Sequence, residues 1–310
     1  MTRLSFKHKV ACAALFSVFL WATGSPAIKL GLPYCPPIFF AAIRFMLGGS
    51  VLFAIMLFVE KDKTVFLRSL PGAFRISLIQ TFILYLLFYI GMKHTDASVG
   101  AILNGTIPLV TAIAAHFAFH DQRLTRMRIV FLIAGLFGAS LIGISRGVQF
   151  GFFSADMFGI VLSAAGCCCS ALGNIVTSRT KVPAHAVTLN AMQQLLGGLM
   201  LLVTALLFEG VPKIDPQPMF FAAWFWLAFQ SATAFSVWFM LLAHKDVKVS
   251  DLSIWMFVIP VVGAMMSWAV VPGDHPTIWA IVGMVTVGLS VYGYNAVSAV
   301  KRREEEYVQT

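Results

Sequence analysis

The sequence predicts an all-α integral membrane protein, with ten transmembrane helices forming two inverted five-helix repeats and both termini cytoplasmic. Three observations carry that prediction. Of 310 residues, 59% are hydrophobic and only 11% charged, against about 25% charged in ordinary soluble domains. Such a composition excludes a soluble enzyme, and it excludes disorder, which needs low hydrophobicity and high net charge. Second, the apolar residues fall into ten runs of about the 20 residues that one span requires. Third, threading those runs through a bilayer with the N-terminus inside sorts the basic residues. Seventeen of the 22 lysines and arginines then face the cytoplasm, the side on which they concentrate. Lys29, Lys93, Arg146 and Lys213 fall outside, and Arg44 alone stays within a span. The net charge of +9 is therefore an orientation label rather than a nucleic-acid signal. The expected partners are the lipid bilayer and a small-molecule substrate, with no nucleic acid; a homodimer is neither required nor ruled out.

The first run, 9–29, follows Lys7-His8-Lys9 and is long enough to span, so it reads as a retained helix rather than a cleaved signal; Trp21 lies late in it. The second, 36–59, begins at Pro36-Pro37 and carries Arg44 about 12 Å below the outer surface at 1.5 Å per residue. An unpaired cation there costs about 2.5 kcal/mol or more, so Arg44 must face water or a partner. Two roles stay open: an anchor for a cargo carboxylate or phosphate, or a packing and gating residue bonded to freed carbonyls. The third run, 72–92, puts Tyr85 and Tyr89 four apart on one face. The fourth, 97–119, holds Asn104 and Pro108 and ends near His116 and His120. The fifth is 127–145.

The second half begins with 154–178, which contains Cys167, Cys168, Cys169 and Asn174. Consecutive helical side chains point about 100° apart, so these thiols cannot converge on one metal and read as packing residues. Run 184–208 carries Gln193 and Gln194, and run 218–243 carries Gln230 and Trp238, with Trp224 and Trp226 at the outer interface. Run 249–271 carries Trp255 and Pro260; run 276–298 leads into the charged tail from Lys301. The domain reading is a first repeat over 1–148, a second over 149–300 and a cytoplasmic tail over 301–310.

A shift of 152 residues aligns Ile107-Pro108-Leu109-Val110 with Ile259-Pro260-Val261-Val262, and pairs Ser98 with Ser250, Ile102 with Ile254 and Ala112 with Ala264. A neighbouring register pairs Ala42, Leu47, Gly48 and Gly49 with Ala191, Leu196, Gly197 and Gly198, setting Arg44 opposite Gln193. Five spans per repeat invert the second half. Pro108 and Pro260 each fall about 16 Å into a span, where a proline frees the carbonyl one turn earlier, that of Asn104 or Met256. Paired interruptions of this kind point to a transport site and to helix-break or gating roles for both prolines; packing kinks are the alternative.

Amides and rings complete the candidate substrate site: Asn104, Asn174, Gln193 and Gln230, with Trp21, Tyr85, Tyr89, Trp238 and Trp255. Each also has an ordinary use in interhelical packing. No Asp or Glu falls mid-span; Asp96, Asp156 and Asp251 lie at helix ends, which favours uniport or exchange over a proton-coupled pump. His116 and His120, four apart as metal ligands can be, support one alternative, an integral-membrane metal-dependent enzyme. The leading expectation is no catalytic residue, no metal and no cofactor.

These residues resemble the EamA-type members of the drug/metabolite transporter superfamily. The resemblance rests on Trp21 with Lys29, on Pro36-Pro37 leading to Ile43-Arg44-Phe45, on Thr95-Asp96-Ala97-Ser98-Val99, on Pro108 and on Gln193. It departs at Asp121-Gln122-Arg123-Leu124 and at Pro272-Gly273-Asp274, both in loops. It implies ten helices in two repeats, alternating access around a central cavity, export of amino acids or other small metabolites, and a bacterial inner-membrane location.

Overall fold

The computed structural model describes residues 3–94, 103–119, 124–144, 155–270 and 276–308, and all regular structure among them is helical. The helices are α1 (Arg3–Ala22), α2 (Gly24–Gly31), α3 (Pro37–Val59), α4 (Thr64–Ile76), α5 (Leu84–His94), α6 (Ile107–Ala118), α7 (Arg126–Ile144), α8 (Ala155–Arg179), α9 (Ala186–Phe208), α10 (Pro218–Ala243), α11 (Val249–Ser253), α12 (Val258–Val270) and α13 (Ile278–Val308). Seven helical stretches among the described residues are long and apolar enough to cross a membrane: Phe6–Tyr34, Pro37–Val59, Thr64–His94, Met157–Arg179, Ala186–Phe208, Pro218–Ala243 and Ile278–Val297. They coincide with seven of the ten expected runs. The other three, 97–119, 127–145 and 249–271, contain α6, α7 and α11 with α12.

Three of these stretches are interrupted. The first turns at Thr23, whose hydroxyl donates to Leu20 O at 2.6 Å, before α2 resumes. The third passes through a π-helical stretch, Ser77–Ile83, between α4 and α5; π turns widen the helix and recur at functional sites. The ninth run passes through a 3-10 segment, Ile254–Phe257.

Pro108 and Pro260 each stand just after a break rather than at a kink inside a continuous helix. Pro108 lies in the first turn of α6, after a turn in which Thr106 N donates to Leu103 O. Pro260 is the third residue of α12. A first-turn N–H has no intrahelical partner to lose, so each proline starts a helix and the break lies just before it.

The most extensive packing joins α3 to α9 and α7 to α13. Helices α3 and α9 run antiparallel and cap each other. Glu60, at the C-terminus of α3, accepts from Thr188 Oγ1 at 2.6 Å and from His185 N at 3.3 Å at the start of α9. Glu209, at the C-terminus of α9, accepts from Ile38 N and Phe39 N at the start of α3, each at 2.9 Å. Helix N-termini carry unsatisfied N–H groups and favour negative charge.

Arg44 is not the only buried charge. Arg128, expected among exposed cytoplasmic residues, is 2% exposed. Its Nη2 lies 3.6 Å from Asp251 Oδ1 and its guanidinium 5.4 Å from the Tyr294 ring centre. Asp251 and Glu60 are buried as well. All three lie at helix ends in sequence, but α13 and α9 pack over them.

Candidate functional site

A central cavity of about 80 Å³ sits where α1, α2, α3, α5, α8, α10 and the 3-10 segment converge. Its wall includes five of the residues singled out in the sequence: Trp21, Arg44, Tyr85, Asn104 and Gln230. Arg44 is 2% exposed and held by aromatic groups. Its Nη1 donates to Tyr89 Oη at 2.9 Å, and its guanidinium carbon lies 4.3 Å from the Phe45 ring centre, 4.9 Å from that of Tyr85 and 5.7 Å from that of Tyr89. Arginine stacks well on such faces. Among the described residues no carboxylate pairs with it, and its Nε has no hydrogen-bond partner.

Three further wall atoms are buried and unpartnered among the described residues: Trp21 Nε1, Gln80 Oε1 and Gln230 Oε1. The other end of the Gln230 amide is fixed, donating from Nε2 to Leu20 O at 2.7 Å beside the Thr23 turn. The residues around the cavity thus carry two unpartnered donors, Arg44 Nε and Trp21 Nε1, and two unpartnered acceptors, Gln80 Oε1 and Gln230 Oε1. Unmet buried polar groups each cost about 1–3 kcal/mol, so a solute that satisfies them has a reason to bind.

The remaining singled-out residues lie elsewhere. Tyr89 is behind Arg44 as its partner. Trp238 donates from Nε1 to Asn174 Oδ1 at 3.1 Å and packs edge-on against Trp21, ring centres 4.9 Å apart; the pair backs the wall without lining it. Gln193 belongs to a fully buried amide network. It accepts from Thr81 Oγ1 and donates to Asn190 Oδ1, while Asn190 Nδ2 donates to Ser236 Oγ. Trp255 faces a different cavity, between α1 and α13. Pro108 and Pro260 start the helices that follow the wall residues Asn104 and Met256.

Gln80, Ser25 and Ser170 line the cavity but were not among the sequence candidates. Gln80 was detectable, since an amide inside an apolar run needs a partner. It sits in the π-helical stretch, and Gly173 on α8 leaves room for it: a Cβ there would overlap the Gln80 amide. Gly197 on α9 makes the same room for Thr81.

Of the histidine pair, His116 uses Nδ1 to accept from Leu124 N at 3.2 Å, a structural bond; His120 lies outside the described residues. Among the described residues no three His, Cys, Asp or Glu side chains gather as metal ligands.

The profile of the EamA-like transporter family matches this chain twice, over residues 8–144 and 157–296. The chain is 23% identical to the uncharacterized transporter YoaV of Bacillus subtilis (strain 168), over 84% of this chain and 88% of that one. It is 24% identical to the uncharacterized inner membrane transporter YedA of Escherichia coli (strain K12), over 82% and 80%. It is 28% identical to a probable amino-acid metabolite efflux pump of Salmonella typhimurium, over 90% and 92%. One crystal structure superposes with a TM-score of 0.78 at 17% identity, covering 94% of this chain and 98% of that chain.

Proposed function

The chain belongs to the EamA-like transporter family and is a multi-pass membrane protein; from that premise we propose that it carries small amino acids or related carboxylate metabolites across the bacterial inner membrane, by alternating access around the central cavity. The proposed architecture is ten spans in two inverted repeats, 1–148 and 149–300, with both termini and the 301–310 tail cytoplasmic. The antiparallel α3–α9 pair supports the inversion, because its capping glutamates lie 149 residues apart, the same register that pairs Arg44 with Gln193. An odd number of spans per repeat turns the second copy over.

One observation carries the cargo class: Arg44, buried and with no carboxylate partner among the described residues, on the wall of a cavity that the Gln80 and Gln230 amides also line. A cargo carboxylate supplies the missing counter-charge, and Gln80 Oε1 and Gln230 Oε1 accept from its ammonium group. The cavity of about 80 Å³ exceeds the roughly 10–15 Å³ that one water needs on the same measure and suits a small solute over a drug-sized one, which would require Trp21, Tyr85 and Phe235 to move. The name of the Salmonella relative points the same way. With no mid-span carboxylate to carry a proton, the cycle is uniport or exchange.

Counterflow in proteoliposomes tests the proposal. Vesicles loaded with unlabelled small amino acids should accumulate the labelled form transiently, and protein-free vesicles should not. Absence of counterflow across a broad amino-acid panel, with metal-dependent turnover that Ala at position 116 abolishes, would instead favour an enzyme.

A further inference from the structure

The wall of the central cavity is built from equivalent positions of the two repeats. Gly24 and Gly173 stand 149 residues apart, the register of the α3–α9 caps, and each makes room for a glutamine. A Cβ on Gly24 would meet the Gln230 amide at 2.8 Å, and one on Gly173 would overlap the Gln80 amide. Gln80 and Gln230 are themselves 150 residues apart, so α2 packs on α10 as α8 packs on the π-helical stretch. In that register Tyr85 matches Phe235, and the two rings meet edge-on with centres 6.4 Å apart. Equivalent residues touch each other only near the axis that relates them. The shift of 152 residues that pairs Pro108 with Pro260 also pairs Asn104 with Met256 and Ile107 with Ile259. All four pairs line the cavity, which therefore straddles that axis, the interface at which repeat-built transporters hold their cargo.

The repeats agree in place but differ in chemistry. The glutamines and isoleucines match, whereas the first repeat has the Tyr85 hydroxyl and the Asn104 amide where the second has the Phe235 ring and the Met256 thioether. Gln193, the counterpart of Arg44, lies in the buried amide network rather than on the wall. Polarity is thus concentrated on the first repeat. The apolar part of the wall is also the part away from Arg44. Among the described residues the guanidinium packs on Phe45, Tyr85 and Tyr89, not on Phe235. Met256, Ile107 and Ile259 belong with Cys167 to an apolar cluster that contains none of those three rings. Asn104 borders that cluster, and its oxygen accepts from the Cys167 thiol, Sγ to Oδ1 3.7 Å.

Resting on the proposed carriage of amino acids, we infer that the cargo lies across the repeat axis with its carboxylate toward Arg44 and an apolar side chain against Phe235 and Met256, so that these two second-repeat positions set side-chain selectivity. The substrate class narrows to small aliphatic amino acids over hydroxylated ones of the same shape. A side-chain hydroxyl placed against Phe235 and Met256 would lose its water and gain no hydrogen bond from either. Apolar pockets discriminate against such an isostere by up to about a hundredfold.

Valine and threonine provide the test, because their side chains share a shape and differ by one methyl-for-hydroxyl exchange. The full chain in proteoliposomes is assayed for counterflow of labelled valine and of labelled threonine at the same low concentration. Valine should exchange about tenfold faster or more. Met256→Asn and Phe235→Tyr each give the second repeat the polar residue of the first, and each should cut that ratio several-fold by admitting threonine. Phe235→Tyr adds one oxygen to a ring already in place, so it carries the test if Met256→Asn fails to fold, which thermal unfolding in detergent reports. Equal exchange of valine and threonine by wild type, or a ratio that no folded variant moves, would overturn the side-chain assignment and leave the carboxylate reading standing. Exchange of no amino acid by wild type would overturn both.

Discussion

Arg44 is held by one hydrogen bond and three aromatic faces, which fix the guanidinium but leave its charge uncompensated. Lysine cannot reproduce that planar stacking. Arg44→Lys keeps the charge but loses the planar guanidinium and its placement, so a charge-assisted hydrogen bond to the cargo carboxylate is weakened and the apparent KM for amino acids should rise about tenfold; counterflow against substrate concentration reads this. A drop in yield with unchanged KM would mark Arg44 as structural. Just before α3, burial and the nearby Glu209 push the Cys35 thiol up to about 12. The thiolate is the reactive form, so at pH 9 Cys35 stays almost wholly the unreactive thiol. Maleimide should label Cys35 slowly in the folded protein at that pH and rapidly after denaturation. Arg44 was legible in the sequence because a charge deep in an apolar run has no cheap alternative to a polar interior. Arg128 and Asp251 were not, because residues at run ends usually meet water and only the packing of α13 shows that these do not.

At the scale of elements, the breaks matter more than the helices. Breaks at Pro108 and Pro260 were readable, but the kink alternative stayed open, since a proline inside an apolar run looks the same whether it bends a helix or begins one. Placed in a first turn, Pro108→Ala should cost only about 0.4–1 kcal/mol through the unfolded chain, seen as a melting shift of a few degrees with transport retained. The π-helical stretch escaped notice because the phase shift it introduces shows only against a polar face, which this run lacks on nearly all sides, and with it went Gln80. Gly173→Ala should push the Gln80 amide out of the cavity. Counterflow should fall several-fold, while Gly263→Ala, where a Cβ meets nothing within 4 Å, should leave it unchanged. The reciprocal caps allow a paired check. Glu60→Gln and Glu209→Gln each remove a charge from a helix N-terminus, and each should lower stability by about 0.5–2 kcal/mol, read by thermal unfolding in detergent.

Over the whole molecule, composition and charge sorting identified a polytopic membrane protein, and the double match of the family profile agrees with the internal register found by alignment. Those features are legible because hydrocarbon tolerates few solutions for a backbone. Which polar side chains meet at the centre was less accessible. Of the ten substrate-site candidates, the five on the cavity wall come from helices far apart in sequence, and the other five differ from them only in which side of a helix faces inward. Trp238 donates to Asn174 Oδ1 behind the wall, while Arg44, Gln80 and Gln230, each with a buried polar atom lacking a partner among the described residues, lie on the cavity wall itself, and it is the wall that marks the candidate site. In the proposed cycle the cargo carboxylate is the counter-charge for Arg44. The most direct measurement is competition in proteoliposome counterflow between a small amino acid, its amide and its decarboxylated amine. The account predicts that the amino acid competes and that the amide and amine lose at least tenfold in wild type, a discrimination that largely disappears in Arg44→Ala; equal competition by all three compounds would contradict it.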